Sequence, residues 1–214
     1  MKTAAQLHAH VPPDWYESSV KTNILQRFWH RRRFKAVERF SEKVKGYVLD
    51  IGSADGYFTR EILEQTGAGR VEGIDVLKSS VDYASKRYSK NKRLRFSLGD
   101  AHKLEFPPNS FSAVYCLEAL EHVYQPRTVL SEILRVLKPG GYTIILVPAE
   151  NFLFKRIVWP LWIRWRGRIW QDTHLSFFDN NKLPELMSGV GFTQVSTHRF
   201  ILGMLLLVKA RKSG

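Results

Sequence analysis

Three carboxylates recur at 25-residue intervals, Asp50, Asp75 and Asp100, and each closes a short run rich in apolar residues. An acid at the tip of a buried strand can accept hydrogen bonds from ligand hydroxyls or amines, more strongly than a neutral side chain can. The first acid runs directly into Gly52-Ser53-Ala54-Asp55-Gly56. Such small residues leave backbone N–H groups open to a ligand, and the start of the following helix adds fixed positive potential. Asp75, closing Val71-Glu-Gly-Ile-Asp75, is placed to accept from both hydroxyls of a ribose. Asp100, in Gly99-Asp100-Ala101, could accept from the exocyclic amine of an adenine. A fourth group, Glu118, Glu121 and His122, with His174 much later in Thr173-His-Leu-Ser-Phe-Phe178, offers groups that could orient a nucleophile or take its proton.

The elements that must carry these residues follow from apolar spacing. Val48, Leu49 and Ile51 predict a buried strand, and Phe58, Ile62 and Leu63 the inward face of the helix after the loop. Val71–Asp75 predicts a second strand, and Val81, Ala84 and Tyr88 a helix, for which Ser79 and Ser80 are candidate caps. Leu94, Phe96 and Leu98 alternate as a third strand, and the turn from Phe106 leads into a fourth that ends near Leu117. Val129, Leu130, Ile133, Leu134 and Leu137 mark an amphipathic helix, closed by Lys-Pro-Gly-Gly before a strand over Tyr142–Pro148. Asn181–Val190 predicts a last helix ending at Gly191, and Phe192–Phe200 and Met204–Ala210 predict two closing strands. The alternation is that of a Rossmann-like α/β sheet.

A dinucleotide fingerprint would require Gly-x-Gly-x-x-Gly, and Ala54 and Tyr57 break it twice. The loop instead resembles the first motif of the class I S-adenosylmethionine (SAM)-dependent methyltransferases, an acid followed by Gly-x-Gly-x-Gly, with Ala54 at the middle glycine. Phe106-Pro-Pro-Asn-Ser-Phe-Ser-Ala113, the later Glu118-x-x-Glu121-His122 and Leu137-Lys-Pro-Gly-Gly141 are similar to the small-molecule and quinone-type (methyltransferase type 11-like) subgroup. The likeness runs from Val48 to Pro148. It implies a seven-stranded, mostly parallel sheet flanked by helices, its last strand antiparallel, and SAM as cofactor. It implies cofactor contacts at Asp50, Gly52, Ser53, Ala54, Gly56, Tyr57, Asp75, Val76, Asp100, Ala101 and Leu117, and catalytic roles for Glu121, His122 and His174. Some relatives with a matching Glu-x-x-Glu-His and a later histidine bind a divalent metal; in others these residues only brace the helix start, so metal dependence stays open.

With 214 residues and 44% hydrophobic content, one domain over 1–214 is expected, with 1–45 as an N-terminal arm and helix and 152–178 as an aromatic and basic insertion over the substrate. Residues 1–19 read as a loosely held arm, and Val20–Lys45 as a helix with Ile24, Leu25, Phe28, Val37 and Phe40 facing inward. Its Arg27-Phe-Trp-His-Arg-Arg-Arg-Phe34 run is either a solvated basic face with aromatics turned to the core or a roof presenting arginines to an anionic substrate. Residues 152–170 hold four tryptophans and five basic residues without an acid. They fit a substrate lid, a membrane interface, or a surface that stacks on bases. The net charge of +13 favours anionic partners without choosing among them. The lone Cys116 excludes an internal disulfide, the polar N-terminus lacks a signal-peptide core, and Ile157–Ile163 and Phe200–Val208 fall short of the ~20 residues that span a bilayer. A cytoplasmic protein with peripheral membrane contact is expected. The expected function is methyl transfer to a small-molecule or lipid-like acceptor; RNA methylation, or SAM binding without catalysis, are the alternatives.

Overall fold

A computed structural model describes residues 6, 10–149, 156, 160, 175, 176, 178 and 181–214. The chain begins with α1 (Trp15–Thr22) and α2 (Ile24–Phe40), then alternates β1 (Tyr47–Ile51), α3 (Tyr57–Thr66), β2 (Arg70–Asp75), α4 (Lys78–Arg87) and β3 (Leu94–Leu98). Next come β4 (Phe111–Leu117), a 3₁₀ turn (Leu120–His122), α5 (Pro126–Val136) and β5 (Leu137–Pro148), and the chain closes with α6 (Lys182–Val190), β6 (Thr193–Phe200) and β7 (Leu205–Arg211). The seven strands form one sheet in the order β3-β2-β1-β4-β5-β7-β6. β1 to β5 pair in parallel, and β7 lies antiparallel between β5 and β6. The strand order therefore reverses between β1 and β4, and in an open α/β sheet a ligand crevice opens at such a reversal, beyond the carboxyl ends of the strands.

Alternation along the central strands divides the core into two layers. Leu49 and Ile51 face one side, with Val114, Cys116, Ile145 and Val147, against Leu130 and Ile133 of α5 and Leu183 and Met187 of α6. Val48 faces the other, with Tyr115, Ile144 and Leu146, against Ile62 and Leu63 of α3 and Val37 of α2. Cys116 is buried, and burial raises its thiol well above the usual range.

Five sequence expectations change. The arm over 1–19 is not loose throughout: Trp15–Thr22 is helical, and Glu17 and Ser19 are buried. The expected single helix over Val20–Lys45 is broken at Asn23, whose backbone is extended and whose side chain accepts from Leu25 N and Gln26 N, so it stops one helix and caps the next. On α2, Ile24, Leu25 and Phe28 are exposed rather than inward. α4 starts at Lys78 behind Leu77, with no side-chain cap, so Ser79 and Ser80 lie inside the helix. Lys138–Gly141 extends β5 instead of preceding it, because Leu137 pairs with Phe111 and the strand shifts register before Ala113. Gly141 permits that shift, since a Cβ there would sit 2.9 Å from Lys138 O and 3.0 Å from Ser112 O.

Among the described residues no helix is long and apolar enough to cross a membrane.

Candidate active site

At the reversal point a cleft opens over the tips of β1, β2 and β4, where small-molecule sites of open α/β sheets lie. Gly52, Ala54 and Asp55 wall it from the first loop, Asp75, Val76 and Leu77 from β2, Gly99 and Ala101 from the end of β3, and Glu118, Ala119 and His122 from β4. Pro12, Pro13, Trp15 and Tyr16 also line it. The N-terminal segment expected to hang loose is therefore a wall of the site.

The loop is fixed in an unusual backbone path. Gly52, Ala54 and Gly56 all have positive φ, at 77°, 45° and 77°. A side chain at Gly52 would also collide with Ala119, 2.6 Å from its Cβ, which explains the glycine there. Gly52 N and Ser53 N donate to Ile74 O at 2.9 and 3.0 Å, and Ala54 N donates to Asp75 Oδ2 at 2.9 Å. The other oxygen of Asp75 accepts from Leu77 N at 2.9 Å. Both oxygens of Asp75 are thus engaged with backbone N–H groups at the rim of the cleft.

Asp50 has a different place. It is buried, accepts from Thr59 Oγ1 at 2.6 Å, and does not line the cleft. It ties the end of β1 to α3, and burial pushes its carboxyl up to about 7. Ser53 is buried behind the loop, Gly56 packs against Phe96 and Tyr88, and Leu117 lies in the core. Tyr57 turns away to stack near Phe34, with ring centroids 5.6 Å apart. The Asp100 carboxylate, 63% exposed, accepts from His102 N at 2.9 Å and contacts the His102 ring at 2.7 Å, while its neighbours Gly99 and Ala101 face the cleft. Of the eleven expected cofactor contacts, Gly52, Ala54, Asp75, Val76 and Ala101 are brought together as lining of the one cleft.

Asp55 was missed by reading the sequence. It lines the cleft and accepts from Tyr57 N at 3.0 Å and Glu17 N at 2.7 Å. Burial raises it to about 6, against those two hydrogen bonds. Glu17 thereby holds α1 to the loop through its backbone, while its carboxylate accepts from Lys21, Tyr83 and Arg87. The hydrogen bonds from Arg87 lead the effects that lower Glu17 to about 2. The available sequence signal was an acid between two glycines of a ligand loop, but nothing local marked residue 17 as its partner.

At the β4 end, Glu118 adopts φ +55° and donates its N–H to Leu146 O at 2.7 Å. Its carboxylate pairs with Arg33 of α2, which is buried and also contacts His30 Nδ1 at 3.2 Å. Burial, with the charge of Arg33, drives His30 down to about 2, so its ring is neutral; burial lowers Arg33 only to about 10, so it stays charged at neutral pH. α2 is therefore tied to the cleft wall by Arg33 at Glu118 and by the His30 ring at Tyr16, with centroids 5.6 Å apart. His122 lines the cleft, and the Glu121 carboxylate lies behind it, 4.0 Å from His122 Nε2. The Glu121 carbonyl accepts from Leu175 N and Ser176 N at 2.8 and 2.9 Å. Expected His174 lies outside the described residues, as does most of 152–170. Among the described residues there is no group of three or more metal-binding side chains.

The methyltransferase-domain family matches residues 49–145, from β1 through β5, the span that carries this cleft. What matches over that span is a methyltransferase domain. The chain is 46% identical over 98 residues to a sterol 24-C-methyltransferase of Gibberella zeae, covering 44% of this chain and 25% of that one. It is 29% identical over 189 residues to a ubiquinone/menaquinone biosynthesis C-methyltransferase of Desulfotalea psychrophila, covering 81% and 76%. The chain thus spans about a quarter of the sterol relative and three quarters of the quinone relative. In fold it is similar to phosphoethanolamine N-methyltransferase 2 of Haemonchus contortus in complex with S-adenosyl-L-methionine, with a TM-score of 0.73 at 17% identity, over 100% of this chain and 61% of that one.

Proposed function

We propose that the protein transfers a methyl group from SAM to a small-molecule or lipid-like acceptor. The observation that carries this reading is the Asp75 carboxylate at the tip of β2, tied to Ala54 N and facing a cleft at the strand-order reversal. SAM, when bound, supplies an electrophilic methyl group on a positively charged sulfur. Asp75 would hold its ribose, the Gly99 backbone and Ala101 its base, and the Gly52–Asp55 loop its amino-acid end.

The protein's own part in such a reaction is chiefly to position the acceptor and exclude water. The cleft walls are predominantly apolar, which suits an acceptor with a hydrophobic body. His122 and Glu118, which line the cleft at the β4 tip, are assigned the orienting of the accepting atom, and His122 the taking of its proton where the acceptor carries one. His174 is kept as a second candidate for that role, and Glu121 as a positioning residue behind His122. Residues 152–170 are proposed as a lid whose tryptophans and arginines could meet a lipid surface, with the protein working in the cytoplasm.

The test is to incubate the purified protein with methyl-labelled SAM and, in parallel, lipid extract, pooled small metabolites and total RNA. Label entering the lipid or small-molecule fraction is expected. Label entering RNA alone, or no fraction at all, would overturn the assignment.

A further inference from the structure

We propose that the first two turns of α2 dock the protein on an anionic phospholipid bilayer, with Ile24, Leu25 and Phe28 entering the headgroup layer. These side chains are 78%, 67% and 58% exposed, although helical spacing would have turned them inward. The inward face is occupied instead by His30, Arg33, Ala36 and Val37. At about 100° per residue, Ile24, Phe28, Arg31 and Lys35 follow one line along the helix, and Leu25, Arg32 and Arg39 the line beside it. The exposed face is thus apolar at its start and basic further on, and Glu38 is its acid. The Arg32 guanidinium lies 5.9 Å from the centre of the Phe28 ring, so charge and apolar surface form one patch.

That arrangement is what an interfacial helix needs: apolar side chains to bury among acyl chains, and cations beside them to meet lipid phosphates. The net charge of +13 adds attraction at longer range. Nucleic acid would use the cations equally well, but bases stack on planar rings and gain little from the aliphatic Ile24 and Leu25. The opposite face of the same helix carries Arg33 to Glu118 at the cleft, so a docked α2 would set the bilayer one helix away from the site. Nothing in this inference depends on methyl transfer, and its test contains no cofactor, so the two can fail separately.

The test is sedimentation with vesicles of phosphatidylcholine alone and of phosphatidylcholine with phosphatidylglycerol. The protein is expected to pellet with the mixed vesicles and to remain in solution with the neutral ones. Ile24→Ser/Leu25→Ser/Phe28→Ser should weaken binding at least about tenfold. Arg31→Gln/Arg32→Gln should weaken it about fivefold for each cation removed. Because all five side chains are exposed, the variants should melt like the wild type, and the charge variant decides the matter if the serine variant does not fold. Equal pelleting of wild type and either folded variant would overturn the proposal. So would failure to bind mixed vesicles, whether accompanied by RNA binding or by self-association through the patch.

Discussion

Glu17→Gln keeps the size of the side chain and removes the charge that fastens α1 to α4. The carboxylate accepts from Lys21 Nζ at 2.7 Å, Tyr83 Oη at 2.9 Å and Arg87 Nη2 at 3.0 Å. These contacts hold it at about 2 in place of 4.5. At ~1.4 kcal/mol per pH unit the whole difference would be worth about 3 kcal/mol. The side chains of Arg87 and Lys21 are 48% and 67% exposed, and solvent screening lowers the figure to about 1–2 kcal/mol. Because the folded carboxyl is depressed, the contribution is complete above 4.5 and disappears as pH falls toward 2. Hydrogen exchange of the α1 amides, corrected for intrinsic rates, should be about 5- to 30-fold faster in the variant near neutral pH. The gap should narrow on acidification. Equal exchange near neutrality, or a gap that widens in acid, would refute the assignment of Glu17 as the fastening of α1.

Ala54 has φ +45°, a region that strains any residue with a Cβ, so Ala54→Gly should raise stability by up to about 1 kcal/mol in urea titration. Arg33→Met strands Glu118 without its buried partner and should cost about 3–5 kcal/mol, most of which Arg33→Met/Glu118→Gln should recover; calorimetric melting of both variants checks this. Burial raises Asp50 to about 7 from an ordinary 3.8, so the folded state holds its proton longer than the unfolded one. Stability from this group therefore falls as pH rises from about 4 to about 7, and Asp50→Asn should flatten that part of the profile, measured by denaturant midpoints across the range.

The succession of strands and the cleft at the ends of β1 to β3 were legible because each of these three strands carries apolar residues and ends at or beside an acid. Asp75 and the Gly52–Gly56 loop were readable for the same reason: their chemistry and their position lie close together in the chain. What was not legible depended on contacts between distant segments. Asp50 looks like a ligand group by sequence, but Thr59, nine residues on, takes its carboxylate into the core. Asp100 has the expected place at the end of β3, yet His102 supplies its hydrogen-bond donors at the surface. Glu17 reaches Asp55 across 38 residues and Arg87 across 70, a link with no local signature. The aliphatic start of α2 read as core because spacing reports that a helix has an apolar face, not what that face meets.

The central claim is that SAM lies across the tips of β1, β2 and β4 with its ribose on Asp75. Titration calorimetry with SAM and with its demethylated product measures this directly, in the wild type and in Asp75→Ala. The account predicts saturable binding by the wild type, and a loss of at least about tenfold in affinity when the carboxylate is removed. Absence of binding by the folded wild type, or equal affinity in the two proteins, would contradict it.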